Sequence, residues 1–372
     1  MIMGTKLQKK AGIFGNLKRK YYFCRMKERI NWIDWGKSLA VITVVFCHLP
    51  QSQEWFYFRY LQTCIISVFF FLSGYLKKDH DSDKENWKKY WFGLIIPYIL
   101  YNALIYPYWF AKYYLQNSGM PDLFHALRPI FGALLFQHEN TFCEPLDGPL
   151  WYLPAILAMH MIVDLCRKTR YQHIILIALC VLSYFVYAGN KFWNFIPNLS
   201  FIGLISRLPI YYIGYVMGQK KQFRDINPIR NLGYGLALMF TSIAFFHWHL
   251  QLFYTGDISQ FLSTNFLLHI ALFYPVNICF LFGVLYFCKA FDGIHSKIIV
   301  NLSIGTLVII GLHIVIITIV NFTLEHLLRI QGVICYQWYE ALPVALLIIA
   351  ILYPVIIWGK SHAPILLGKK RL

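Results

Sequence analysis

The sequence predicts an all-α membrane protein, a polytopic bundle of about ten transmembrane helices with both termini cytoplasmic. Three observations lead there. Of its 372 residues, 58% are hydrophobic and only 14% charged, with a mean hydropathy of +0.51, whereas soluble domains carry about a quarter charged residues. Apolar stretches of roughly 20 residues, the length a bilayer requires, recur along the chain. The cations gather in every second gap between those stretches, as expected when Lys and Arg stay on the cytoplasmic side.

The stretches are 33–50, 56–76, 90–110, 149–166, 173–189, 199–218, 230–249, 266–289, 298–322 and 341–359. They divide the chain into a basic N-terminal tail (1–29), a membrane domain (30–360) and a basic C-terminal tail (361–372), with a long outer loop at 111–148. Within that loop, Ile130 to Phe136 is apolar but too short to span, and is expected to lie as a helix at the membrane surface. Of the 34 Lys and Arg, Arg59 (at the outer end of its stretch), Lys112, Arg128, Lys191 and Arg329 count as outer, Arg230 and Lys289 sit at inner stretch ends, and Lys37 and Arg207 are assigned to spans. The formal charge of +17 therefore reads as membrane topology and not as a nucleic-acid footprint, which needs cations on one solvent-exposed face. Nine cysteines include no CxxC pair; most lie in apolar runs, where cysteine acts as a small hydrophobe. Cys143 and Cys335 fall in outer loops, where a pairing stays open. No signal peptide is expected from the basic N-terminus. The absence of an internal repeat gives no support to a transporter built from two related halves.

The first stretch, "WIDWGKSLAVITVVFCHLPQ" (Trp32 to Gln51), holds polar residues that a membrane helix does not need. Lys37 and His48 are eleven residues apart, close to three helical turns, so both leave the same face about 16 Å apart along the axis. Asp34, three residues before Lys37, has the spacing of an ion pair. Two readings follow for these residues. One is structural, with Asp34 and Lys37 as a clamp near the headgroups and His48 as a hydrogen-bonding helix contact. The other is a polar conduit with a histidine at its upper end, the default for ionisable groups sharing a face within a membrane.

This opening resembles that of the acyltransferase-3 family of membrane acyltransferases, whose first helix carries Arg or Lys, ten residues, then His. The Trp-Ile-Asp before the lysine is similar to the fucose 4-O-acetylase-like branch, although Ser38 stands where that branch usually has Gly. Further landmarks follow in family order: "FFFLSGYL" (69–76), "IIPYIL" (95–100), "GPLWYLPAIL" (148–157), "RLPIYYIGYVMG" (207–218) and "SIGTLVIIGLHIVII" (303–317). The inner stretch before "PY" departs from the pattern, offering Lys88 and Lys89 in place of arginines. Lysine is a point charge without the bidentate fork.

The resemblance implies transfer of an acetyl or other acyl group from cytoplasmic acyl-CoA to a hydroxyl, commonly on a sugar of a cell-surface polysaccharide or its lipid-linked precursor. Acetyl-CoA would be a co-substrate, with no tightly bound cofactor and no metal. His48 is the expected general base, with Asp34, Lys37 and His313 as further catalytic candidates. His313 is expected either to polarise the thioester or orient the acceptor, or to be a packed helix contact. Lys37, Lys88, Lys89 and Arg207 are expected to meet the coenzyme. Trp151 and Tyr152 are expected either to stack on the acceptor sugar or to belong to the interfacial aromatic belt. Ser73 reads as a packing residue beside Gly74. The expected location is a bacterial inner membrane. The alternative from another class is a transporter or channel with Asp34, Lys37 and His48 as its ion path.

Overall fold

The computed structural model describes residues 29–369 except 53, 79–82, 137–145, 147, 194–199, 221–226, 253–262 and 329–333. Cys143 and most of the N-terminal tail lie outside the described residues. The described chain is helical throughout, with no strand.

Eight helices among the described residues are long and apolar enough to cross a membrane. In chain order, α1 is Asn31–His48, α2 Phe56–Leu76, α3 Asp83–Asn117, α4 Leu123–Leu134, α5 Gly148–Arg167 and α6 Gln172–Asn190. Then follow α7 Ser200–Gln219, α8 Pro228–Gln251, α9 Thr264–Ala290, α10 Lys297–Ile304, α11 Thr306–Glu325 and α12 Trp338–Ser361. The eight are α2, α3, α5, α6, α8, α9, α11 and α12. The other two expected spans are also helices, α1 and α7. The polar residues of α1 lower its hydropathy, and part of α7 lies among residues whose side chains are not described. The short helix α4 runs from Asp122, whose side chain accepts the His125 backbone N–H as an N-cap.

Two helix pairs form the tightest contacts. On α2 and α7, glycines let backbone meet backbone: a Cβ at Gly74 would collide with Tyr211 and Tyr215, and one at Gly214 with the main chain of Phe71. Close approach through small residues is how helices associate in lipid, where burial of apolar surface supplies no drive. Gly235 and Gly283 make a similar seam between α8 and α9.

The regular helices are broken at few points, each with a local cause. In α3 a π turn occupies Trp91–Ile95, just before Pro97, which has no N–H to donate. Gly305 separates α10 from α11. Helix α2 has a joint at Ile65.

The region expected as a C-terminal tail is not wholly one. Past α12, Pro364–Leu367 forms a 3₁₀ turn, Leu367 is buried, and the Tyr101 hydroxyl donates to the Leu366 carbonyl at 2.8 Å. Gly368 follows at φ 66°, a left-handed conformation, with the Gly93 backbone close by.

The glycine seam generates a stability test. Gly214→Val should lower the thermal unfolding midpoint of the detergent-purified protein, by the equivalent of about 1–3 kcal/mol or more, because the neighbouring backbone has no room to yield. Gly233→Ala on α8, where nothing lies within 4 Å of the added Cβ, should leave the midpoint unchanged or slightly raised.

Candidate functional site

The start of α1 is stitched to the α9–α10 connection by its own polar side chains. Asn31 Nδ2 donates to the carbonyls of Asp292 (2.6 Å) and Ile294 (2.8 Å). Trp35 Nε1 donates to Ile294 O at 3.1 Å, and Ser38 Oγ to Ile299 O at 2.8 Å. The bonds to Asp292 and Ile294 satisfy carbonyls of the connection after α9, which have no helical donor, and the Ser38 bond adds a tie to the first turn of α10.

Asp34 belongs to this anchoring set. Its carboxylate accepts both arms of the Arg29 guanidinium, Nε at 2.6 Å and Nη2 at 2.9 Å, and the Ser303 hydroxyl at 2.6 Å. The expected Asp34–Lys37 ion pair is therefore not formed. Arg29, placed by the sequence reading in the tail, competes better because its fork matches both carboxylate oxygens. Among the described residues no hydrogen-bond or ion-pair partner reaches Lys37, whose side chain faces a cavity.

That cavity, of about 560 Å³, lies between α1, α2, α3, α5 and the α10–α11 junction. Its lysine-rich end carries Lys37, Lys77, Lys78 and Lys89, and its far end Phe69, Tyr152 and Ile310. Both breaks in nearby helices border it: Gly93 and Leu94 from the π turn, and Ile304 and Thr306 on either side of Gly305. Irregular backbone at membrane depth is tolerated where it is buried in protein or lines such a space. Lys88 and Arg207, grouped with Lys37 and Lys89 by the sequence reading, are not among its lining residues.

Arg207 instead has a structural setting. It is buried, with Nη1 donating to Asn277 Oδ1 at 3.1 Å and Nη2 to the Thr63 carbonyl at 2.7 Å, and its guanidinium lies 4.7 Å from the centre of the Phe273 ring. Thr63 stands just before the joint in α2, where helix carbonyls lose their usual donors. Arg207 caps that break.

His48 and His313 meet beyond the cavity, their rings edge to face with centroids 4.8 Å apart. Each is held by its own helix: His48 Nδ1 lies 2.7 Å from Val44 O, and His313 Nδ1 2.8 Å from Ile309 O. A carbonyl only accepts, so in both rings Nδ1 carries the hydrogen, and in the neutral form Nε2 carries the lone pair. The His313 Nε2 atom is buried with no hydrogen-bond partner among the described residues. Neutral His313 thus offers an acceptor, chemistry that orients a hydroxyl; polarising a thioester carbonyl needs a donor. His313 stands one turn beyond Ile310, so the cavity's far end approaches the pair along α11.

Trp151 is partly exposed, and Tyr152 is buried at the far end of the cavity. Trp151 lies against Phe70, with centroids 6.0 Å apart. Tyr152 is buried, edge-on to Phe69 and Phe70, and its hydroxyl lies 3.2 Å from Phe69 O and 2.9 Å from Ser73 Oγ. Ser73 thus borders the cavity while its neighbour Gly74 makes the helix contact.

The sequence reading missed the polar wall of the cavity. Lys77 Nζ donates to Asp164 Oδ1 at 2.7 Å and to the Tyr90 hydroxyl at 2.9 Å, and Tyr90 donates to Asp164 Oδ2. His160, one turn from Asp164 on α5, stacks flat on Tyr90 with centroids 5.1 Å apart. The signal was available: His160 and Asp164 are ionisable residues at i,i+4 within a span, the pattern that singled out α1. No group of His, Cys, Asp and Glu suited to a metal ion occurs among the described residues. A second cavity of about 570 Å³, between α3, α4 and α5, is almost wholly apolar.

A family model described as an acyltransferase domain, that of the acyltransferase-3 family, matches residues 30–359. Neither the curated proteins nor the solved structures searched returned a match.

The Lys77–Asp164 pair is testable as a buried ion pair, its side chains only 2% and 15% exposed. Asp164→Ala should destabilise by about 3–5 kcal/mol by stranding the Lys77 charge, and Lys77→Met combined with Asp164→Leu should recover most of the loss. Denaturation midpoints of the three proteins in one detergent check this.

Proposed function

Because the chain belongs to the acyltransferase-3 family and is a membrane acyltransferase, we propose that it moves an acetyl group from cytoplasmic acyl-CoA to a sugar hydroxyl. The acceptor is a cell-surface polysaccharide or its lipid-linked precursor, in the inner membrane of a bacterium. The observation that carries this reading is the placement of Lys37. Within a membrane protein an ionised side chain normally finds a partner. Arg207 is answered by two oxygens and a ring face, whereas Lys37 points into a cavity with no hydrogen-bond or ion-pair partner among the described residues. A cation held so, at the end of the cavity where Lys78 and Lys89 also stand, suits the anionic coenzyme. With both termini cytoplasmic, that end opens to the compartment where acyl-CoA is made.

Lys37 and the rim lysines hold the phosphates, and the arm of the coenzyme runs up the cavity, bringing its thioester toward His48. The neutral imidazole takes the proton of the acceptor hydroxyl at Nε2 while the hydroxyl oxygen attacks the thioester carbon. The C–O bond forms, the C–S bond breaks, and the departing thiolate recovers the proton from His48. His313 Nε2, an acceptor beside it, orients the incoming hydroxyl. Asp34 acts at one remove, by fixing the start of α1 to α10 and so the position of Lys37. Its engagement by Arg29 and Ser303 also takes it out of the ion path that the transporter reading requires.

Acetyl transfer from labelled acetyl-CoA to glycan or lipid-linked acceptor, with purified protein, is the deciding measurement. Solute flux without acyl transfer would overturn the proposal. His48→Ala should lower kcat by about 10²- to 10⁴-fold, the usual contribution of a general base, with expression and folding retained. Lys37→Ala should raise KM for acetyl-CoA and leave the acceptor KM unchanged. Near-normal turnover in His48→Ala would move the base elsewhere, with His313 tested next.

A further inference from the structure

The wall formed by Lys77, Tyr90, Asp164 and His160 has no part in the steps above, yet three of its four members line the cavity. Its charge cancels internally. The Lys77 ammonium is spent on Asp164 and Tyr90, and the Tyr90 hydroxyl on Asp164. What this wall shows the cavity is therefore neutral. A neutral hydrogen-bonding surface is a poor match for phosphate and a good one for an amide.

His160 is the member with chemistry left over. Its ring is fixed on one face by the parallel Tyr90 ring and at one nitrogen by Tyr211, the Tyr211 hydroxyl lying 2.6 Å from Nδ1. Tyr211 is itself fully buried on α7, in the stretch whose backbone abuts Gly74 of α2. The clamp thus rests on a helix pair in which main chain meets main chain. Nδ1 being engaged, Nε2 is the nitrogen that remains for the cavity.

We infer that His160 is a coenzyme-binding residue whose Nε2 hydrogen-bonds an amide of the pantetheine arm of acyl-CoA, between the phosphate-binding lysines and His48. Either tautomer serves. If Tyr211 donates to Nδ1, Nε2–H donates to an amide carbonyl; if Nδ1–H donates to Tyr211, Nε2 accepts an amide N–H. The arm carries both groups. This inference rests on the acyl-CoA reading above and extends it to a residue and a part of the coenzyme.

Two acyl donors separate arm from phosphates: acetyl-CoA, and S-acetylpantetheine, which keeps the amides and lacks every phosphate. With full-length protein in detergent, His160→Ala should raise KM for both donors by roughly 2- to 12-fold, the span of one neutral hydrogen bond. kcat and the acceptor KM should stay unchanged. His160→Gln, which retains a donor and an acceptor, should recover part of the loss. Lys89→Ala should raise KM for acetyl-CoA alone. An unchanged KM for S-acetylpantetheine in His160→Ala would overturn the inference. So would a lowered unfolding midpoint with the same KM and no rescue by Gln, since that marks a merely structural ring. Should the wild-type protein transfer no acyl group, the proposed function fails on its own, and calorimetric binding of desulfo-CoA then tests His160 separately. A Kd equal in wild type and His160→Ala, or no binding to either, would sink the contact.

Discussion

The carboxylate of Asp34 is the interaction on which the rest of the site depends. A charge at that depth is costly unless answered, and it is answered three times, by two nitrogens of Arg29 and by Ser303. Those contacts tie Arg29, two residues ahead of α1, to α1 itself and both to the end of α10. Once that corner is fixed, the helical repeat dictates the remainder of α1. Lys37 is carried to the cavity side, and His48, three turns on, to the side where α11 brings His313.

A second constraint follows from the bilayer. Backbone groups in hydrocarbon have only each other to bond with, so a helix breaks only where something else takes over. Each break here has an identifiable substitute. At the α2 joint it is Arg207, bonded to the Thr63 carbonyl. At Gly305 the chain bonds on both sides, its N–H to Asn301 O and its carbonyl to Ile309 N–H, and this break and the π turn of α3 both border the cavity. The irregular places thus border the cavity or are capped by a dedicated side chain.

How far was this legible in the sequence? The helices were, because each apolar stretch had to become one, and the cation pattern marked the gaps between them. The polar stripe of α1 was legible as a pattern, and the landmarks from 69–76 to 303–317 as a family. The partners were not. Asp34 has Lys37 at the right spacing, but Arg29 and Ser303 outbid it, and Ser303 is 269 residues away. Arg207 was a cation in a span and nothing more until its oxygens were seen to be Thr63 and Asn277. Tyr152 read either as a ring stacking on a sugar or as part of the interfacial belt, and its neighbours on α2 hold it in the cavity wall. Spacing within a helix says which residues share a face; it is silent on which other helix that face meets.

The glycine seam between α2 and α7 has a mechanical consequence. With main chain against main chain at Gly74 and Gly214, no side chains lie between the two helices at that point to change rotamer and let them slide. Sliding of helix on helix in this bundle belongs to other seams, where side chains rather than backbones carry the contact.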